Sequence, residues 1–281
     1  MRLFISPAIR RLIDLALDED DLGFDVTSNV FFDGVAGSAY MLAKQDLVVA
    51  GLELVPAVFA QVDRGVVWTF ETTDGTHIKE GAILGRATGD ASSLLRGERT
   101  ALNFLQRMCG VATQTAAYAG ALGKRVRIAD TRKTMPGWRE LDKYAVSAGG
   151  GANHRFSLAG GVMVKDNHIA AAGDIATAVH EVKKTAPHTL RIEVEVESTE
   201  MALQAVEAGA DIIMLDNMST AQMRETIAAI RSAANHPVFI EASGNITLER
   251  LPELADLDLD FVSSGALTHS VTAADISMKL S

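Results

Sequence analysis

The segment Asp130–Arg155, DTRKTMPGWRELDKYAVSAGGGANHR, holds the densest set of residues from which chemistry could be built. Arg132-Lys133 and His154-Arg155 bracket a helix-length stretch and the triple glycine Gly149-Gly150-Gly151. Cations paired at each end of a Gly-rich stretch can cradle a multiply charged anion. Arg forks onto carboxylate or phosphate, and glycine lets backbone N–H groups approach closely. Two surface basic pairs joined by a loop would look the same, and spacing alone leaves both open.

Further reactive residues lie downstream. In Ile192-Glu193-Val194-Glu195-Val196-Glu197 the period is two, so three glutamates share one face of a strand and the apolar residues the other. The apolar face should pack on helices, which sends the glutamates inward. Buried carboxylates are costly without cations or a metal. The alternative, an edge strand with a solvated acidic face, fits less well between neighbours that both read as buried. Lys165 follows Val162-Met163-Val164 and would point into the same region. It could be a Schiff-base nucleophile or a counter-ion to the glutamates. Beside Arg132, Lys133, His154 and Arg155 it reads as one more cation of an anion site. Asp216-Asn217 and Glu241 add polar strand ends, and Ala242–Ile246 and Ser263–Leu267 put small residues before helix starts, where backbone N–H groups favour phosphate. Cations, carboxylates able to hold Mg²⁺ and a phosphate cradle together suggest a phosphorylated, metal-dependent substrate and a second anionic one. Arg96, Arg99 and Arg107 sit on a helix spanning Arg96–Ala112 and read as exposed charges of a connecting helix.

The elements that must position these groups fall into two textures. Ser6 as N-cap and Pro7 open an amphipathic helix with Ile9, Leu12, Ile13, Ala16 and Leu17 on one face and Gly23 past its end. The acidic run Asp18–Asp21 reads as solvated. From Val30 to Gly89, β-prone runs (Ser38–Ala43, Asp46–Ala50, Val66–Thr72, Ala82–Ala87) and one helix, Leu52–Val62, make a modest α+β layer suited to scaffold or subunit contact. After Val126 strands alternate with helices: strands at Arg127–Ala129, Val162–Val164, Arg191–Val196, Asp211–Leu215, Val238–Glu241 and Phe261–Ser263, and helices at Leu141–Ala148, Ile175–Lys184, Glu200–Ala208, Ala221–Ala233 and Leu248–Leu254. This pattern predicts a parallel sheet in a β/α barrel, complete or not, with reacting groups at the C-terminal strand ends. No GxGxxG follows a first strand, which counts against a dinucleotide fold.

The chain has 281 residues, 48% of them hydrophobic, enough for one large or two modest domains. A formal net charge of −10 argues against general nucleic-acid binding but not against a local anion site. With one cysteine, Cys109, there is no internal disulfide and no Cys-based metal site. Nothing at the start reads as a signal peptide and no apolar run approaches the roughly 18 residues of a membrane span. The expectation is a soluble, cytoplasmic protein with no membrane partner.

Seven motifs in order, DTRKTMPGWRELDKYAV, GGGANHR, KDNHI, EVEVES, LDN, EASGNI and SSGALTHS, closely resemble the quinolinate phosphoribosyltransferase family, and LLRGERTALNFLQRMCGVAT extends the likeness upstream. The resemblance implies an α/β fold, an incomplete β/α barrel preceded by an α+β open sandwich domain. The sandwich would take residues 1–110, with 270–281 packing on it, and the barrel 111–269. It implies transfer of a phosphoribosyl group from 5-phosphoribosyl-1-pyrophosphate (PRPP) to quinolinate with decarboxylation, in NAD biosynthesis, with Mg²⁺ as cofactor. A homodimer, or a hexamer, would share its active sites. The quinolinate carboxylates would fall to Arg132, His154, Arg155 and Lys165, with Arg99 reaching in from the partner subunit. Lys133 would lie between the substrates. Glu195 and Asp216 would serve ribose and metal, the metal contact being made either directly or through PRPP. Ser243, Gly244, Asn245, Ser264, Gly265 and Ala266 would hold phosphate, and Lys133, Glu195 and Asp216 would form the catalytic set. One departure is Gly23-Phe24-Asp25-Val26-Thr27, with Phe where a closer Gly-Asp pair is expected.

The rivals are a molybdenum-transport-associated pyrophosphorylase-like paralogue, in which intact NHR and KDNH motifs are not expected, and a nicotinate phosphoribosyltransferase, which would not need so many cations. A non-catalytic phosphate-binding barrel and a Schiff-base aldolase using Lys165 complete the set.

Overall fold

The computed structural model describes residues 2–20, 25, 27–32 and 34–281, and its contacts divide the chain into two compact units. Unit 1 holds residues up to Ala116, Thr134–Gly150 and Ser270–Ser281; unit 2 holds Ala117–Lys133 and Gly151–His269.

Unit 1 opens with α1 (Pro7–Glu19). Ser6 Oγ accepts the Ile9 N–H at 3.2 Å, a cap worth about 1 kcal/mol, and Ile9, Ile13 and Leu17 are buried at four-residue spacing. Gly23, Phe24 and Val26 lie outside the described residues. Asp25 Oδ1 accepts the N–H groups of Thr27 and Ser28 at 3.1 and 2.8 Å and so starts the single turn α2 (Ser28–Phe31). Then follow β1 (Ala36–Ala43), β2 (Leu47–Val48), α3 (Leu54–Val62), β3 (Val67–Phe70), β4 (His77–Ile78), β5 (Ile83–Asp90) and the long helix α4 (Ala91–Leu122). The sequence suggests a shorter helix, from Arg96 to Ala112. The true start is set by Asp90, whose carboxylate accepts the Ser93 N–H at 2.8 Å, and the helix runs on through Ala-rich turns to Gly123, with φ +73°.

In unit 2 the chain enters a parallel sheet with β6 (Arg127–Ala129), then returns to unit 1 as α5 (Arg139–Ala148). Residues 134–150 thus leave the 111–269 segment that the sequence assigns to the barrel. The cause is their contacts: Asp142 takes the Arg107 guanidinium at 3.1 Å, Tyr144 donates to Asp74 at 2.6 Å, Ser6 donates to Glu140 at 2.8 Å, and Trp138 stacks on Phe104. Asp142 is buried and Arg107 nearly so, which makes this a structural ion pair rather than a solvated charge.

The barrel continues with β7 (Val162–Val164), α6 (Asp166–Ala172), α7 (Ile175–Thr185), β8 (Ile192–Val196), α8 (Thr199–Glu207), β9 (Ile212–Asp216), α9 (Thr220–Ala233), β10 (Phe239–Ser243), α10 (Leu251–Ala255), β11 (Phe261–Ser263) and the single turn α11 (Ala266–His269). Side-chain caps at Ser198 and Ser219 fix the starts of α8 and α9, as their sequences predict. The six strands lie in the order β7-β8-β9-β10-β11-β6, parallel throughout. Among the described residues β6 and β7 do not pair, so the sheet is open between its first two strands in sequence. It is nevertheless rolled. A flat sheet would hold β6 and β8 about 19 Å apart. Ala152 bridges to Ala129 of β6, yet His154, two residues on, lies 3.2 Å from Glu193 of β8. The architecture is an incomplete barrel.

The chain ends in unit 1 with β12 (Ile276–Leu280), antiparallel to β1, in a sheet of order β12-β1-β5-β3. Phe59, Leu84, Leu94 and Leu105 are fully buried in the core of this unit.

Candidate active site

At the C-terminal ends of the barrel strands lies a cavity of about 420 Å³, lined by Thr131, Arg132, Lys133, His154, Arg155, Met163, Lys165, Glu195, Met214, Asp216, Ser243 and Ser263. Most of the residues singled out by sequence meet here, from the ends of six strands and the glycine-rich segment.

The cationic side is held by backbone devices. Asp130, fully buried, accepts Asn153 Nδ2 at 2.7 Å and the His154 N–H at 2.8 Å, which ties the GGGANHR segment to the end of β6. Neither Asp130 nor Asn153 is evident from sequence as a site-builder, because a polar strand end reads as a ligand until its burial is known. Arg155 Nη1 donates to Gly161 O at 2.9 Å. Burial, then the charge of Arg132, lowers the Arg155 pKa, so the two guanidiniums sit in a field that calls for an anion. The Lys133 N–H donates to Thr131 Oγ1 at 3.0 Å and its carbonyl accepts Thr268 Oγ1 at 2.9 Å. A Cβ on Gly265 would stand 2.7 Å from Lys133 Cδ, so the glycine makes room for the lysine stem. The Lys165 N–H donates to His168 Nδ1 at 3.0 Å, which gives the histidine of KDNHI a positioning duty.

The acidic side faces it. Lys165 Nζ is ion-paired with Glu195, whose side chain is 17% exposed. Of the three alternating glutamates, Glu193 is buried, Glu195 reaches the cavity, and Glu197 lies exposed beyond the end of β8. The strand has a paired neighbour on each side, so it is no edge. Asp216 is held above the usual carboxylate range by burial and by the charge of Glu195, against the pull of Lys165. Two part-buried carboxylates are hard oxygen donors that a divalent cation would neutralise, so Glu195 and Asp216 fit Mg²⁺.

The two loops expected from sequence to hold phosphate are built differently from that expectation. The loop after β10 leads into a 3-10 turn, Leu248–Arg250, and that after β11 into the single turn α11, so neither opens on a long helix dipole. Any affinity for an anion here would have to come from the backbone itself. Gly244, Asn245 and Asn217 all take positive φ (+82°, +50° and +54°), the conformation that turns N–H groups toward one side. Asn245 Nδ2 donates to Asn217 Oδ1 at 3.1 Å, and the Asn217 N–H to Ser243 O at 3.1 Å, bracing the loop after β9 against the loop after β10. Ser264 is buried, its hydroxyl accepting the Ala266 N–H at 3.3 Å. Gly244, Asn245, Ser264, Gly265 and Ala266 flank the cavity rather than line it. Arg99 is exposed on α4 in unit 1 and is not among the lining residues.

Beneath the cavity, His154 Nε2 lies 3.2 Å from Glu193 and 3.6 Å from Glu241. Both carboxylates are buried, and Glu241 Oε1 has no hydrogen-bond partner among the described residues. Burial, then the Glu193 charge, pushes the Glu241 carboxyl up to about 7. The three side chains offer a geometry that a metal could occupy. The ring argues otherwise: Nδ1 accepts the Arg155 N–H at 2.8 Å, so the ring proton sits on Nε2, where a metal would have to bind.

An open parallel barrel whose strand ends gather cations opposite carboxylates is a protein built to receive anionic small molecules. Residues 25–109 match the quinolinate phosphoribosyl transferase N-terminal domain and residues 111–279 the C-terminal domain of that name. The chain is 39% identical over 284 residues to the nicotinate-nucleotide pyrophosphorylase (carboxylating) of Homo sapiens, covering 100% of this chain and 94% of the relative. It is 40% identical over 293 residues to quinolinate phosphoribosyltransferase (decarboxylating) 1 of Nicotiana glauca, covering 97% and 82%. The crystal structure of NadC from Streptococcus pyogenes superposes with a TM-score of 0.94 at 42% identity, covering 100% of this chain and 99% of that one. The chain belongs to the quinolinate phosphoribosyl transferase family.

Proposed function

We propose that this chain is a decarboxylating phosphoribosyltransferase that converts quinolinate and PRPP to nicotinate mononucleotide, pyrophosphate and CO₂. The observation that supports it most is one cavity in which Arg132, Lys133, Arg155 and Lys165 face Glu195 and Asp216. A substrate with two adjacent carboxylates needs several cations, and a ribosyl centre that gains positive charge needs carboxylates.

Arg132, Arg155 and Lys165 bind and orient the quinolinate carboxylates, with His154 at their base. The ring nitrogen attacks C1′ of the ribose with its own lone pair as the C1′–O bond to pyrophosphate breaks, so no general base is required. Glu195 and Asp216 stabilise the oxocarbenium-like centre, and Lys133, between the substrates, offsets charge on the departing oxygen. The C2–carboxylate bond then breaks to release CO₂. Its electron pair stays on C2, stabilised by the adjacent pyridinium nitrogen, and C2 takes up a proton. Glu195 and Asp216 would hold Mg²⁺, directly or through PRPP; bound there, it would supply charge neutralisation of the pyrophosphate. The loops with Ser243, Gly244, Asn245, Ser264, Gly265 and Ala266 would take phosphate.

The reading extends to a homodimer in which Arg99 completes the neighbouring subunit's site, and to a cytoplasmic location. Among the described residues no helix is long and apolar enough to cross a membrane. The test is pyrophosphate release from PRPP and Mg²⁺, with quinolinate and nicotinate offered separately. Release with quinolinate alone, matched by CO₂, is expected; release with nicotinate alone would sink the proposal.

A further inference from the structure

Both ring nitrogens of His154 are engaged by protein groups. Nδ1 accepts the backbone N–H of Arg155 at 2.8 Å, and Nε2 faces Glu193 at 3.2 Å and Glu241 Oε1 at 3.6 Å. An N–H pointing at Nδ1 requires a lone pair there, so the ring carries its proton on Nε2, toward the two carboxylates. These carboxylates do not line the substrate cavity. They line a second cavity of about 350 Å³ under it, and His154 and Arg155 are common to both. The trio is therefore a floor between two spaces, with the Arg155 backbone fastened to its upper side.

We infer that Glu193 and Glu241 are positioning residues of the quinolinate subsite, holding His154 from below so that its Nδ1 fixes the Arg155 backbone and aims the guanidinium. The inference rests on the proposed function for the identity of the ligand. It assigns Glu193 and Glu241 a duty that neither can perform by contact, and it has His154 act through Arg155 instead of donating a ring N–H to substrate. Burial of the Glu241 carboxyl beside Glu193 favours its protonated form, which lets the two acids sit together around one imidazole.

The test compares wild type with Glu193→Gln, Glu193→Leu and Glu241→Leu, measuring quinolinate and PRPP·Mg²⁺ binding by calorimetry and the His154 tautomer by ¹⁵N NMR. Gln keeps an oxygen that can accept the Nε2–H, whereas Leu removes it. Glu193→Leu should shift the tautomer and weaken quinolinate about ten-fold or more, the value of a charge-assisted hydrogen bond lost at Arg155, with PRPP affinity held. Glu193→Gln should restore both. Leu variants that keep the Nε2–H tautomer and wild-type quinolinate affinity overturn the inference while leaving the proposed function standing. Equal losses for both substrates in Gln and Leu variants, with lowered melting temperature, also overturn it, since that is the mark of a structural role alone. A wild-type protein that ignores quinolinate sinks the proposed function, and this inference with it.

Discussion

Gly244→Ala is the sharpest single perturbation of the loops proposed to hold phosphate. Gly244 sits at φ +82°, where an L side chain costs about 1–2 kcal/mol. Space adds to the penalty: a Cβ there would stand 2.7 Å from the Asn217 backbone nitrogen and closer still to the Asn217 side-chain oxygen. Backbone cannot swing aside as a flexible side chain can. Asn217 follows Asp216 and is itself at φ +54°, hydrogen-bonded to Ser243 O and Asn245 Nδ2, so relief must travel into all three residues. Strain and overlap together should cost roughly 2–4 kcal/mol of stability. The functional loss should be selective. With the loop N–H groups and Asp216 displaced, KM for PRPP should rise by about ten-fold or more, while quinolinate affinity, which depends on the opposite wall, stays near wild type. Steady-state kinetics with each substrate varied, alongside urea denaturation, reads both effects. A variant that unfolds like wild type and keeps its KM for PRPP would refute the account of these loops.

Three other outcomes are expected. Lys165→Met removes the cation paired with Glu195, so calorimetry should find Mg²⁺ bound more tightly and quinolinate about ten-fold or more weakly; unchanged Mg²⁺ affinity would mean the ion pair does not compete with the metal. Glu241, with its carboxyl pushed from 4.5 to about 7, contributes stability that is full below 4.5 and lost as pH rises through 7. Denaturation at pH 5.5 and 8.5 should show wild type losing on the order of 2–3 kcal/mol relative to Glu241→Gln, and parallel pH profiles would contradict the burial argument. Inactive Arg99→Ala and Lys133→Ala proteins, unfolded and refolded together, should regain about a quarter of wild-type activity, because a mixed dimer holds one intact site; no recovery would place Arg99 outside the partner's site.

Much of the barrel was legible because its signals are local. The strands at Arg127–Ala129, Val162–Val164 and Phe261–Ser263 stand where the β-prone runs fall, and the Ser198 and Ser219 caps mark helix starts from a few residues of sequence. Alternation in EVEVE separates the glutamate face from the apolar face before any fold is known. Helix α4 was underestimated at both ends, since its first turn depends on Asp90 and its last on Ala-rich turns that carry no charge pattern. The sequence places residues 134–150 with the barrel segment, whereas their contacts group them with unit 1, because the partners of Asp142 and Tyr144, Arg107 and Asp74, are far away in sequence.

The sequence by itself determined which residue types stand at each strand end: Arg132-Lys133, Lys165, Glu195, Asp216 and Ser243. It also determined that these strand ends share one face of a parallel sheet. Only the tertiary structure decided that Glu193 and Glu241 meet under His154, that Asp130 is a buried brace, and that Lys165 is engaged by Glu195. The physical reason is range. Periodicity, caps and turns are set by interactions within a few residues, whereas these contacts exist only because the sheet rolls until strands distant in the chain face one another.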